Sequence, residues 1–237
     1  MATDNLFLGP QAPTTFQFNA SVTRVFDDML SRSVPFYHQI LQQIADLTAS
    51  YVDNSSNSTL YDLGCSTGAL WPVIQDRNLN LDYIGYDKSN SMIDLAKERY
   101  GASDAQFECQ DLVQVSSFPN ASVIVCHLVL QFIPLAERER VIQLCYQSLP
   151  EQGALIVVEK IKQSDPELQK VYNQAFYQFK MSNGYTKEEV LNKETSLKGV
   201  LMSETDGYYR DLFKEMGFSF VDTFFRWYNF VGYVVIK

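Results

Sequence analysis

Leu60-Tyr61-Asp62-Leu63-Gly64-Cys65-Ser66-Thr67-Gly68 decides the reading of the whole 237-residue chain. It has the pattern of a short strand running into a glycine-rich turn, with a helix opening at about Gly68-Ala69-Leu70. The glycines permit a tight turn and let a ligand approach the backbone closely. The next apolar run, Tyr83-Ile84-Gly85-Tyr86, ends in Asp87. An acid about 20 residues beyond the glycine turn is where a nucleotide-binding βαβ unit places its ribose-hydroxyl acceptor.

Charge selects among nucleosides. A dinucleotide lays its pyrophosphate on the helix N-terminus and calls for G-x-G-x-x-G. Here Ser66 replaces the second glycine and Ala69 the third, and the Asp62 carboxylate at the mouth of the turn would repel a pyrophosphate. S-adenosylmethionine (SAM) has no phosphate and carries a sulfonium and an ammonium, so Asp62 favours SAM over NAD or FAD. Gly64-Cys65-Ser66-Thr67-Gly68 also fits the G-x-S-x-G nucleophile elbow of hydrolases, which needs a histidine later in the chain. Only His127 follows Ser66, at the end of an expected central strand, and Ser66 reads better as a small residue lining a ligand loop.

With 46% hydrophobic and 14% aromatic residues, the chain can build a core without disulfides or metals. One domain is expected over 1–237. It comprises a helical cap (1–58), a nucleoside-binding core (59–160), a helical insertion (161–203) and a C-terminal helix with a hairpin (204–237). The net charge of −9 argues against direct nucleic-acid binding, whose affinity comes largely from neutralising phosphates. A small-molecule substrate is expected instead. Cys65, Cys109, Cys126 and Cys145 are widely spaced, form no C-x-x-C pair and read as free buried thiols in a reducing cytoplasm. With only two histidines, no metal site is expected. No signal peptide or membrane-spanning run is evident, so Asn19, Asn54, Asn57 and Asn120 are not expected to be glycosylated.

Pro10 and Pro13 keep residues 1–20 irregular, and helices are expected over 21–30 and 37–51, with a polar loop over 54–58. From Thr59 the pattern alternates: strands near 59–64, 82–87, 105–109, 122–128 and 153–159, helices near 69–77, 89–100 and 136–149. This predicts an α/β, Rossmann-like, mostly parallel sheet with ligands at the carboxyl ends of its strands. The expected site is therefore Asp62–Gly68, Asp87-Lys88, Asp111-Leu112 and Cys126-His127. Further helices are expected over 165–183, 186–200 and 204–216, then an antiparallel hairpin over 218–226 and 228–236. That hairpin gives the seven-stranded, class I SAM-methyltransferase variant of the fold. The aromatic stripe Tyr172, Phe176, Tyr177 and Phe179 reads as a packing face or a subunit interface. Asp27-Asp28 reads as a solvated helix face and Arg32 as half of a structural ion pair. Tyr185, Tyr208, Tyr209 and Arg210 are candidates for the substrate side.

Asp62 to Gly68 is similar to motif I of class I SAM-dependent methyltransferases. More specifically, the twelve residues from Phe26-Asp27-Asp28-Met29 to Ser33-Val34-Pro35-Phe36-Tyr37 resemble the N-terminal segment of carboxy-SAM synthases. Leu130-Gln131-Phe132, Glu159-Lys160, Asn183-Gly184-Tyr185 and Trp227-Tyr228-Asn229-Phe230 add to the match, which runs from about residue 5 to the C-terminus. That family makes carboxy-SAM from SAM and prephenate, releasing phenylpyruvate, and a partner enzyme uses the product on the wobble uridine of tRNA. The resemblance implies a homodimer. It also implies that Tyr37 contacts the ligand, that Gly64, Cys65 and Ser66 line its amino-acid end, and that Asp87 takes the ribose hydroxyls with Lys88 beside it. Asp111 and Leu112 would hold the adenine, and His127 would face the sulfonium.

Two positions depart from the family. It has Asn where this chain has His127, and an arginine from the neighbouring subunit, pairing with the carboxylate of carboxy-SAM, where this chain has Glu194. Lys193 beside it offers a point charge only if its helix turns. Three functions follow: a carboxy-SAM synthase, a diverged SAM-dependent methyltransferase acting on a small molecule, and a non-catalytic SAM sensor. In the second, His127 would serve as general base because imidazole titrates near neutrality. The alternative for His127 is a strand-end histidine bonded to backbone.

Overall fold

The computed structural model describes residues 2–52 and 58–237; the expected loop over 54–58, Asn54 and Asn57 lie largely or wholly outside these. Seven strands form one sheet in the order β3-β2-β1-β4-β5-β7-β6. They are β1 (Ser58–Leu63), β2 (Leu81–Asp87), β3 (Gln106–Cys109), β4 (Ala121–His127), β5 (Ala154–Lys160), β6 (Phe220–Trp227) and β7 (Phe230–Ile236). The first five pair with one another in parallel, while β7 runs antiparallel to both β5 and β6. Every residue of β1 is buried, as befits a strand covered on both faces.

Period-two alternation divides the core. Tyr61, Leu63, Ile124, Cys126, Leu155 and Val157 face α5 (Leu135–Ser148) and α8 (Asp206–Glu215). Leu60, Val123, Val125, Ile156 and Val158 face the other way, toward α2 (Tyr37–Tyr51), α3 (Trp71–Gln75) and α4 (Asn90–Tyr100). The N-terminal preface is thus more than a cover over the ligand: α2 is a full layer on the sheet. The helix α1 (Ala20–Ser33) is capped by Asn19, whose side-chain Oδ1 accepts from the Ser21 and Val22 N–H groups.

Helix α3 is much shorter than the expected 69–77. Gly64 and Gly68 adopt φ of +76° and +77°, and the chain uses 64–70 as a loop before the helix opens at Trp71. The insertion consists of α6 (Pro166–Ser182) and α7 (Lys187–Ser196). Thr186 and Glu189 form a capping box at the start of α7, and Gly199 at φ +75° lies just past its end, so the helix stops short of Val200. Of the four free cysteines Cys65, Cys126 and Cys145 are buried, but Cys109, the last residue of the short strand β3, is exposed. Among the described residues no helix is long and apolar enough to cross a membrane.

Candidate functional site

A cleft of about 540 Å³ opens at the carboxyl ends of β1, β2 and β4. Its floor is the loop after β1. The Gly64 and Cys65 N–H groups donate to the Tyr86 carbonyl, at 2.7 and 2.9 Å. The Ser66 N–H donates to Asp87 Oδ2 at 3.0 Å, and the Thr67 hydroxyl to Asp27 Oδ1 at 2.6 Å. Ser66 itself sits at φ +49°. A Cβ on Gly64 would stand 2.5 Å from a Val129 methyl carbon, and one on Gly85 would stand 2.9 Å from Cys65. Only glycine lets these backbones approach so closely.

Asp27 is therefore not a solvated face. One oxygen holds the loop and the other pairs with Arg99 at 2.7 Å. Asp28 accepts from the Asp4 N–H and pairs with Arg32 at 3.1 Å, so the ion pair expected of Arg32 is present.

Asp62, the next-to-last residue of β1, lies beneath the loop, 3% exposed, accepting from the Tyr83 hydroxyl. Burial pushes its pKa up to about 7, against the lowering effect of that hydrogen bond. Asp87 closes β2, with its oxygens facing the N–H groups of Ser66 and Ser89 at 3.0 and 2.8 Å. Burial raises its pKa as well, while those two hydrogen bonds and Lys88 pull it down. Beyond it, Asp111 makes a turn in which its Oδ1 accepts from the Val113 N–H at 3.1 Å, leaving an acidic edge beside buried Leu112.

A roof covers the cleft. Phe18 packs edge-on against Phe132 at 5.0 Å, and its carbonyl accepts from the Ser89 hydroxyl at 2.7 Å. This ties the N-terminal segment to the turn after β2. Tyr37 stacks on His127, with ring centroids 5.6 Å apart and planes 17° apart. The Nε2 atom of His127 is buried with no hydrogen-bond partner among the described residues. Burial lowers its pKa to about 4, which corrects the expectation of a histidine titrating near neutrality. It does not make the backbone bond of the alternative reading through Nε2 either.

Tyr37, Asp62, Gly64, Cys65, Ser66, Asp87, Lys88, Asp111, Leu112 and His127 all line this one cleft. Gly68 does not; it turns the chain behind the loop, where a Cβ would meet Phe107 at 3.0 Å. Nor do Tyr185, Tyr208, Tyr209 and Arg210. Tyr209 is core between α8 and the sheet, Tyr208 packs partly buried against the same cluster, Tyr185 donates to Asp4, and Arg210 pairs with Asp206, so the four are structural.

Sequence reasoning did not foresee the basic wall of the cleft. Lys160, Lys180 and Lys193 line it together. Lys193 arrives there with α7 as it stands, so no turning of the helix is needed. Glu194 is not part of the cleft lining and accepts from the Tyr177 hydroxyl at 2.6 Å.

The residues fit SAM. The acid beneath the loop suits an ammonium and a sulfonium, Asp87 can accept from two hydroxyls, and the slot by Leu112, Ile133 and Pro134 is apolar enough for a purine. One pH dependence follows from Asp62. Protonating it removes the charge a cationic ligand needs, so SAM affinity should fall as pH drops below about 7. Calorimetric titration should show about a tenfold rise in Kd per pH unit well below that pKa, and Asp62→Asn should flatten the profile.

A methyltransferase-domain family model matches residues 60–153. The carboxy-S-adenosyl-L-methionine synthase of Hydrogenovibrio crunogenus is 38% identical over 99% of this chain and 94% of its own. That of Methylococcus capsulatus is 35% identical over 94% and 93%. Among solved structures, a plantazolicin methyltransferase bound to a substrate analogue and S-adenosylhomocysteine superposes with a TM-score of 0.64 at 14% identity, over 92% of this chain and 94% of that one.

Proposed function

The chain belongs to the carboxy-S-adenosyl-L-methionine synthase family, a SAM-using enzyme family, and from that premise we propose that it transfers the ring carboxyl group of prephenate to the sulfonium methyl of SAM. A methyl C–H bond breaks and a C–C bond to the carboxyl carbon forms. The bond from that carbon to the prephenate ring breaks as the ring becomes aromatic. The ring hydroxyl leaves with the methyl proton as water, so the products are carboxy-SAM, phenylpyruvate and water.

His127 carries the choice between this and methylation of a hydroxyl acceptor. With its pKa lowered to about 4 it is a weak general base at neutral pH, and methyl transfer to a hydroxyl would want a stronger one. Carboxyl transfer brings its own proton acceptor in the departing hydroxyl. In this reading Asp62 and the Gly64–Ser66 loop hold the amino-acid end of SAM, Asp87 with Lys88 the ribose, and Asp111 with Leu112 the adenine. Tyr37 and His127 flank the sulfonium. Gly68 shapes the loop.

Carboxy-SAM made here would supply a tRNA-modifying partner enzyme in the cytoplasm, where the chain's free thiols stay reduced. We read the chain as a homodimer joined along α6, whose Leu168 and Val171 are 39% and 54% exposed. A concentration-independent monomer in sedimentation would remove that part.

The test is mass spectrometry of the small molecule retained through purification, repeated after incubation with SAM and prephenate. Carboxy-SAM and phenylpyruvate are the expected products. SAM or S-adenosylhomocysteine alone, with no conversion, would overturn the reading in favour of a diverged methyltransferase.

A further inference from the structure

We propose that Lys160, Lys180 and Lys193 form the carboxylate-binding wall of the cleft, reading the carboxyl group of the second substrate and of the product from within one subunit. This deepens the carboxyl-transfer reading and rests on it.

The three residues come from separate elements: the end of β5, the last turn of α6 and the last turn of α7. Lys180 and Lys193 are 5% and 6% exposed, and lysine is seldom buried so fully without a partner. Among the described residues neither Lys160 nor Lys180 makes an ion pair or a side-chain hydrogen bond. Their ammonium groups instead both sit over the ring of Phe176, 4.7 and 4.1 Å from its centroid. Lys193 donates to the Ser33 hydroxyl at 3.1 Å and has Asp4 Oδ2 at 3.9 Å.

The charges nearby leave a surplus. Asp4 answers Lys193, and Asp28 is engaged with Arg32. Glu194 pulls on Lys160 and Lys180 from a distance, but its Oε1 is held by Tyr177 outside the cleft. Burial, and then repulsion from Lys193 and Lys160, depress the pKa of Lys180. Burial likewise brings Lys160 and Lys193 down to about 8. A cluster of ammonium groups held in this state gains most from an arriving anion, because one carboxylate relieves desolvation and mutual repulsion together.

The cleft therefore carries charges of both signs, with acids at the carboxyl ends of β1 and β2 and lysines on a wall that starts at the end of β5. Carboxy-SAM differs from SAM by one carboxylate on the methyl carbon, and the lysine wall accounts for where it goes. The arginine that the family takes from its neighbouring subunit is then unnecessary, and Glu194 in its place does not remove the site.

The experiment compares the affinity of the protein for carboxy-SAM and for SAM, by competition calorimetry, in wild type, Lys160→Met, Lys180→Met and Lys180→Arg. Methionine keeps the length and apolar stem and removes a buried charge, a change that folded proteins tolerate well. Wild type is expected to prefer carboxy-SAM. Lys180→Met and Lys160→Met should each reduce that preference by about 10- to 100-fold while SAM affinity changes by less than about threefold. Lys180→Arg should keep most of the preference. Lys160, which is partly exposed, gives the same readout should Lys180→Met fail to fold. If wild type prefers carboxy-SAM and both methionine variants still do, the lysine assignment is wrong and the reaction stands. A wild type with no such preference and no carboxy-SAM product would sink both.

Discussion

Asp87→Ala is expected to weaken SAM binding by about 30- to 1,000-fold, the loss of two hydrogen bonds to a charged acceptor at roughly 1–2 kcal/mol each. The carboxylate sits at the end of β2, where its two oxygens accept from the N–H groups of Ser66 and Ser89. Burial makes its charge costly, and its raised pKa records that cost. Two ribose hydroxyls would supply the missing donors at no cost in backbone movement. Asp87→Asn keeps one good acceptor and should fall between wild type and alanine. Calorimetric titration with SAM gives the affinities, and circular dichroism shows whether the sheet survives. A Kd for Asp87→Ala within about threefold of wild type would remove Asp87 from the site.

This prediction was within reach of the sequence because everything it needs is local. The glycine turn, the strand before it and the acid about 20 residues on are fixed by the spacing of one βαβ unit. The same holds for the strand alternation after Thr59, since each βα repeat carries its own period-two and period-3.6 signals. Helix α2 spans Tyr37–Tyr51, the range its apolar spacing predicts. Errors arose where a local signal met a competing demand. Residues 69 and 70 pattern as helix, but the ligand loop uses them. Asp27 and Asp28 look like solvent-facing acids because neither the loop nor Arg99, 72 residues away, is visible from the helix itself.

The lysine wall was hidden for a different reason. Lys160, Lys180 and Lys193 are spread over 34 positions on three elements, and each alone reads as an ordinary surface cation. Lys180 lies inside an aromatic helix whose stripe draws attention to packing. Convergence of such residues is a property of the tertiary fold, set by how α6 and α7 return over the carboxyl end of β5. His127 was placed correctly in the cleft, but its charge state depends on burial beneath Tyr37, which no spacing reveals.

Arg138→Leu is expected to destabilise the fold by about 3–5 kcal/mol, because it leaves two carbonyl acceptors without their donor and takes a nearby positive charge away from a buried carboxyl group. For a chain of this size that amounts to a fall in Tm of roughly 10 °C or more. Arg138 is fully buried in α5; its Nε donates to the Ile133 carbonyl at 3.0 Å, and a terminal nitrogen donates to the Met202 carbonyl at 2.5 Å. Its charge also acts on Glu159, fully buried too and not in an ion pair with it, whose oxygens accept from the Leu130 and Gln131 N–H groups at 2.8 and 3.0 Å. Burial pushes Glu159 up to about 8, while those N–H groups and Arg138 pull it down. Because the folded pKa lies above the ordinary 4.5, the contribution of Glu159 to stability is fully present below about 4.5 and lost as pH rises through about 8. Removing Arg138 takes away a counter-charge, so the penalty should grow toward alkaline pH. Glu159→Gln in the Arg138→Leu background should recover part of the loss and flatten that slope, which urea unfolding across the pH range would measure. The substitution should also reach the cleft. Met202 donates its N–H to the Gln131 carbonyl at 2.8 Å, and Gln131 lines the site, so a loosened Met202 segment should weaken SAM binding as well. A variant that unfolds with the wild-type midpoint at every pH would show that Arg138 and Glu159 are not coupled.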